Sequence, residues 1–118
     1  AWYQTLIKWA TEDGNYDKAW MYVQQGLQYG DDGAYAWGTF YILRAILRLL
    51  IAESNYTRAT ELLSLIEHHP ASMDMVKAWA STHENTLKAE LSIDEFEAAW
   101  ERGKRLDLGD VITEYMER

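Results

Sequence analysis

The segment Asn15-Tyr16-Asp17-Lys18-Ala19 returns forty residues later as Asn55-Tyr56-Thr57-Arg58-Ala59, and more weakly as Glu95-Phe96-Glu97-Ala98-Ala99. A recurrence at fixed spacing is read before individual residues, because it says which positions are structurally equivalent. Each copy follows a predicted helix and opens another, with a large aromatic and then a small Ala three residues on. The aromatic is expected to wedge between paired helices, and the Ala to let their backbones approach.

Outward from these segments the apolar spacing stays helical. It predicts helices over about Trp2 to Glu12, Tyr16 to Tyr29, Ala34 to Ala52 and Tyr56 to His68. Three more run from behind Ser72 to about Glu90, from Ser92 to about Lys104, and from Asp107 to the end. The inward faces are predicted to carry Tyr3, Leu6, Ile7 and Ala10, then Ala19, Val23, Gly26 and Leu27, then Leu43, Ile46, Leu47 and Leu50, then Ala59, Leu62, Leu63 and Ile66. The fifth helix would place Val76, Ala80, His83 and Leu87 along one stripe. The breaks are Asp13-Gly14-Asn15, Gly30-Asp31-Asp32-Gly33, Glu53-Ser54-Asn55 and Pro70, the last because proline cannot continue the hydrogen-bond ladder. Ser92-Ile93-Asp94-Glu95 reads as a capping box. The fold class is therefore all-α, and no linker divides the chain.

Composition agrees with a folded helical unit. The 118 residues are 48% hydrophobic and 25% charged, with six Trp, eight Tyr, two Phe and one Pro. A chain of this length buries roughly two-thirds of its unfolded surface on folding. It has no Cys, which excludes disulfides and thiolate metal sites, so nothing requires an oxidising compartment. The longest apolar run, Ile42 to Ala52, is interrupted by Arg44 and Arg48 and is shorter than the ~20 residues that span a bilayer. A net charge of -8 disfavours wholesale phosphate-backbone binding, so no nucleic acid and no membrane is expected as a partner. The start at Ala1-Trp2-Tyr3, without Met, is what a fragment of a longer protein would show.

The segment from Gly14 to Leu27 resembles the turn and second helix of the tetratricopeptide repeat family, with Leu6 at the family's large aliphatic position in the first helix. Ile7 stands where the family has Gly, Asp31 where it has Pro, Ser54 where it has the second turn Gly, and the period is forty residues. Longer repeats of this kind are similar to those of MalT-like and LuxR-type bacterial regulators and related signal-transduction (STAND) ATPases. The tail Phe96-x-x-x-Trp100-x-x-Gly103-x-x-Leu106-x-Leu108 is similar to the closing segment of arrays in those regulators and in some bacterial cyclases. The resemblance implies a right-handed α-α superhelix of about three antiparallel helix pairs, over residues 1–33, 34–70 and 71–106, with a capping helix over 107–118. It also implies a cytoplasmic location in a bacterial signalling protein. HEAT-like helix pairs are the structural alternative.

Catalytic inventory is thin. There is no Gly-rich phosphate loop and no H-E-x-x-H spacing. His68 and His69 fall at a helix end, where they complement the dipole. His83 falls on an apolar stripe, as a satisfied half-buried histidine would. The pairs Glu95 with Glu97 and Glu114 with Glu117 fall in first turns or on solvated faces, and Arg102-Lys104-Arg105 has Glu101 and Asp107 beside it. No catalytic residue, cofactor or metal is expected.

In tetratricopeptide-like arrays the first helix of each pair lines the concave face. That geometry would put Gln4, Lys8, Thr11 and Glu12 in a groove with Tyr41, Arg44 and Arg48. Lys8 and Arg48 are forty residues apart, and Lys88 continues the spacing. Trp37, Tyr41, Arg44 and Arg48 follow at steps of four, three and four, on one stripe opposite Leu43, Ile46, Leu47 and Leu50. Two readings stay open. The strip either takes a carboxylate or phosphate partner by charge-assisted bonds and stacking, or Arg44 and Arg48 pair with acidic groups across the groove while Trp37 and Tyr41 pack on a neighbour. Trp2 and Trp9, seven apart, share a face expected to meet a preceding repeat or to self-associate.

The function these features imply is a non-catalytic interaction or inducer-sensing module whose partner is an acidic protein or peptide, or a small inducer. The alternatives are a homo-oligomeric assembly scaffold and the non-catalytic tail of a cyclase or ATPase.

Overall fold

The computed structural model describes residues 2–30, 36–70 and 74–117, without the side chains of Trp2, Tyr29 and Trp37. The helices are α1 (Trp2–Glu12), α2 (Tyr16–Gln25), α3 (Ala36–Ala52), α4 (Tyr56–His68), α5 (Asp74–Ser81), α6 (Glu84–Glu90), α7 (Ile93–Lys104) and α8 (Leu108–Glu117). Among the described residues there is no strand. None of the helices is long and apolar enough to cross a membrane. The expected start of the third helix at Ala34, the Asp31 to Gly33 stop and the Ser72 start signal lie outside the described residues.

The two turns that decide the fold are built alike. In the first, the amides of Asp13, Gly14, Asn15 and Ala19 donate to the carbonyls of Trp9, Thr11, Ala10 and Asn15. In the second, Glu53, Ser54, Asn55 and Ala59 donate to Leu49, Ile51, Leu50 and Asn55, so every bond recurs forty residues on. The geometry demands a left-handed residue at the same place in each. Gly14 supplies it at φ 76°, and Ser54 adopts it at φ 64° despite its Cβ. Asn15 also accepts a capping bond from the Lys18 amide at 3.3 Å, whereas Asn55 makes no side-chain cap.

Each turn folds two helices against one another, α1 on α2 and α3 on α4, while α1 packs on α3. The buried set follows most of the predicted stripes: Ile7, Ala19, Val23, Leu43, Ile46, Leu47, Leu50, Ala59, Leu62, Leu63 and Ile66 are all fully inaccessible, whereas Tyr3, Leu6 and Leu27 are only half-buried at the stripe edges. Beyond α4 the regularity changes. Where one long helix is expected from Ser72 to Glu90, the structure has α5 and α6. The break lies at Thr82 and His83, whose amides bond three residues back to Trp79 and Ala80. The hydroxyls of Ser81 and Thr82 return to the carbonyls of Ala78 (3.0 Å) and Trp79 (2.7 Å). Side chains that bond the preceding turn compete with the helix ladder and end it. The second predicted helix also changes pitch, closing as a π-helical turn over Gly26–Gly30.

The seventh helix, α7, packs chiefly on α4 rather than on α6. Gly103 makes this possible, since a Cβ there would run into the Glu61 carbonyl oxygen and the Ser64 side chain. Ser64 Oγ donates to the Trp100 carbonyl at 2.7 Å across the same crossing. The last helix, α8, returns to α2. Its buried Tyr115 stacks on Trp20 with ring centroids 5.5 Å apart, so it closes the first helix pair as well as following the last. The molecule measures 38 × 32 × 26 Å, a rounded body rather than an extended rod.

Candidate functional site

The predicted strip on α3 faces α1. Inward burial of Leu43, Ile46, Leu47 and Leu50 leaves Tyr41, Arg44 and Arg48 on the flank of α3, where all three are half-buried. Across from them α1 presents Gln4, Thr5, Lys8 and Trp9, because Ile7 and Ala10 point into the core. Trp79 of α5 closes the third side. These residues line a cleft of about 200 Å³ together with Ala45, and none of them is acidic.

Trp79 sets the arrangement of the guanidiniums. Arg44 lies over its ring at 4.3 Å and Arg48 at 5.2 Å, while Arg44 also lies 5.6 Å from the Tyr41 ring. A guanidinium held against an aromatic face keeps its planar N–H fork and loses little freedom when it binds an anion. Among the described residues neither Arg44 nor Arg48 has a carboxylate within ion-pair distance. Four other cations are neutralised: Arg58 by Glu61 and Glu114, Arg102 by Glu61, Lys88 by Glu84 and Lys104 by Glu101, whereas Lys18, Lys77 and Arg105, like the two arginines, have no carboxylate at ion-pair distance among the described residues. Burial, and after it the charge of Arg48, lowers Arg44 below the ordinary guanidinium value, with Tyr41 opposing.

His83 lies behind this cluster. Its ring meets Trp79 edge-on at 4.7 Å, and its buried Nε2 has no hydrogen-bond partner among the described residues. The expectation of a satisfied histidine is thereby corrected, because the helix break at Thr82 turns the ring onto an indole that offers it no acceptor or donor there. Burial first, then Arg48 and Arg44, lowers the imidazole below its usual value.

The structure therefore brings Gln4, Lys8, Arg44 and Arg48 into one cleft, with Tyr41 against it. It separates three other residues from them. Lys88 pairs with Glu84 at 3.3 Å, lies over Phe96 at 5.3 Å, and lines a different hollow with Ser92, Ile93 and Glu97. The helix break before α6 ends the forty-residue register on which its placement rested. Thr11 is buried and donates to the Ile7 carbonyl at 2.7 Å, and Glu12 is exposed outside the cleft. No family model matches the chain, and no curated protein or solved structure matches it.

Trp9 is 53% exposed, and besides the cleft it lines a second hollow with Leu6, Asp13, Lys18 and Tyr22. The side chains of Trp2 and Trp37 lie outside the described residues. Trp79 and His83 were not legible as site residues. Trp79 sits three after the inward Val76, at the edge of the α5 stripe, but nothing local says that this edge meets α3. Among the described residues no three His, Asp or Glu side chains gather as a metal would need.

Proposed function

We propose that this chain is a non-catalytic, tetratricopeptide-like helical-repeat module of a bacterial signalling or transcription regulator, which binds an acidic partner segment or an anionic inducer. The single observation that carries this reading is the cleft lined by Lys8, Arg44 and Arg48, with no acidic side chain among the described residues that line it, on a chain of net charge -8. The forty-residue recurrence of the turn hydrogen bonds supports the repeat architecture, a right-handed stack of helix pairs. Binding through two guanidiniums and an ammonium needs no proton transfer or nucleophile.

The test is fluorescence polarisation with a labelled oligoglutamate peptide at fixed ionic strength. The Arg44→Ala/Arg48→Ala double variant is expected to weaken binding at least about tenfold, since each charge-assisted pair contributes roughly 1.5–3 kcal/mol. Unchanged affinity overturns the reading. Half-exposed Trp9 favours the scaffold alternative, in which it mediates self-association. Sedimentation distinguishes the two, because a strict monomer at high concentration removes the scaffold.

A further inference from the structure

The chemistry of the cleft narrows what it takes. Its lining carries three cationic groups, Lys8, Arg44 and Arg48, with the Gln4 amide and Thr5 hydroxyl beside them and, among the described residues, no carboxylate. A single carboxylate brings one negative charge to three cations, so most of their charge stays uncompensated. A phosphate monoester carries about -1.5 to -2 charge at neutral pH and three terminal oxygens, enough to engage both forks and the ammonium together. Space points the same way. At about 200 Å³ the cleft suits a phosphoryl group and a few attached atoms. It is smaller than the roughly 300–1,000 Å³ typical of pockets that enclose a whole drug-sized ligand. Both guanidiniums are already held on Trp79, at 4.3 and 5.2 Å, so little ordering remains to be done when the anion arrives.

We propose that the cleft between α1, α3 and α5 is a phosphate monoester site, in which Arg44 and Arg48 grip the phosphoryl oxygens, Lys8 completes the charge, and Trp79 acts as the positioning residue for both guanidiniums. This rests on the interaction-module reading and names the ligand chemistry of the same site. The phosphoryl group can belong to a small free ester or to a phosphorylated side chain of a partner.

Isothermal titration at pH 8 and constant ionic strength compares methyl phosphate, acetate and a phosphoserine hexapeptide. Methyl phosphate is expected to bind at least about tenfold tighter than acetate, a difference of about 1.4 kcal/mol. Arg44→Lys and Arg48→Lys, which keep the charge and lose the fork, are each expected to weaken it severalfold, and Lys88→Gln to leave it unchanged. Circular dichroism confirms that the variants are folded. Equal affinity for methyl phosphate and the hexapeptide assigns the site to a free ester, and a hexapeptide at least tenfold tighter assigns it to a partner side chain; both support the site. Equal binding of acetate and methyl phosphate, no binding of either phosphate probe at millimolar concentration, or Lys variants that bind as the parent chain overturns it. Oligoglutamate binding that depends on Arg44 and Arg48 without methyl phosphate binding removes the phosphate assignment and leaves the interaction module standing.

Discussion

Ser54 occupies the one left-handed position in the described chain that is not a glycine, at φ 64°. An L-residue pays roughly 1–2 kcal/mol for that conformation, and a Gly there loses about 0.5–1 kcal/mol through its greater unfolded freedom. Ser54→Gly, which copies Gly14 of the first turn, is expected to stabilise by about 0.5–1 kcal/mol. Thermal unfolding checks this, and a lower melting temperature would contradict it. His83 makes a second residue-level prediction. Burial and the two guanidiniums lower its pKa in the folded state below the ordinary 6.5. The folded chain therefore holds this ring neutral more firmly than the unfolded chain does. Its contribution is present above pH 6.5 and is lost as the pH falls through the folded value, since the unfolded state takes up the proton first. Urea unfolding between pH 8 and 5 should show a decline that His83→Phe reduces.

At the scale of elements, the crossing of α4 and α7 depends on close backbone approach. Gly103 faces the Glu61 carbonyl and Ser64, with Ala99 fully buried four residues before it. Gly103→Ala should force the helices apart and cost about 1–3 kcal/mol, despite the better helix propensity of Ala. Chemical denaturation measures it, and a neutral result would mean that the crossing relaxes freely. The break between α5 and α6 ends α5 at Ser81, two residues after the Trp79 that α5 presents to α3 in the cleft.

Across the whole molecule, α8 is tied back by Arg58. This guanidinium reaches Glu61 at 2.8 Å, Glu114 at 2.6 Å and the Tyr115 hydroxyl at 3.1 Å. Burial works to lower its pKa, but the hydrogen bonds to Glu61 and Tyr115 and the Glu114 charge outweigh it and raise the pKa. Glu61 in turn receives Arg102 at 2.7 Å, so one network joins α4, α7 and α8. Arg58→Ala leaves Glu61 with Arg102 alone and removes the donor to Glu114 and the Tyr115 hydroxyl, and should cost about 2 kcal/mol. Amide exchange is expected to rise first in α8, where the variant removes a tether from the far end of the chain.

Local periodicity was enough to determine the helices outside the α5–α6 stretch, most of their inward stripes and the two turns forty residues apart. Each of these depends on contacts within a few residues, and the pattern Asn-Tyr/aromatic-x-x-Ala carries them. The Arg44 and Arg48 strip was legible for the same reason, as the flank of a helix whose other face is apolar. Thr11 was not, because its burial depends on how α1 packs on α2 and α3. Lys88 and Trp79 were not, because their surroundings depend on where α5 to α7 settle. That is decided by Gly103 admitting α7 to α4 and by two hydroxyls breaking the helix at Thr82. Sequence alone thus determined which side chains a helix turns outward. Only tertiary packing decided which of those faces meet, and it left Lys8, Arg44 and Arg48 in one cleft with Trp79, with no carboxylate among the described residues that line it.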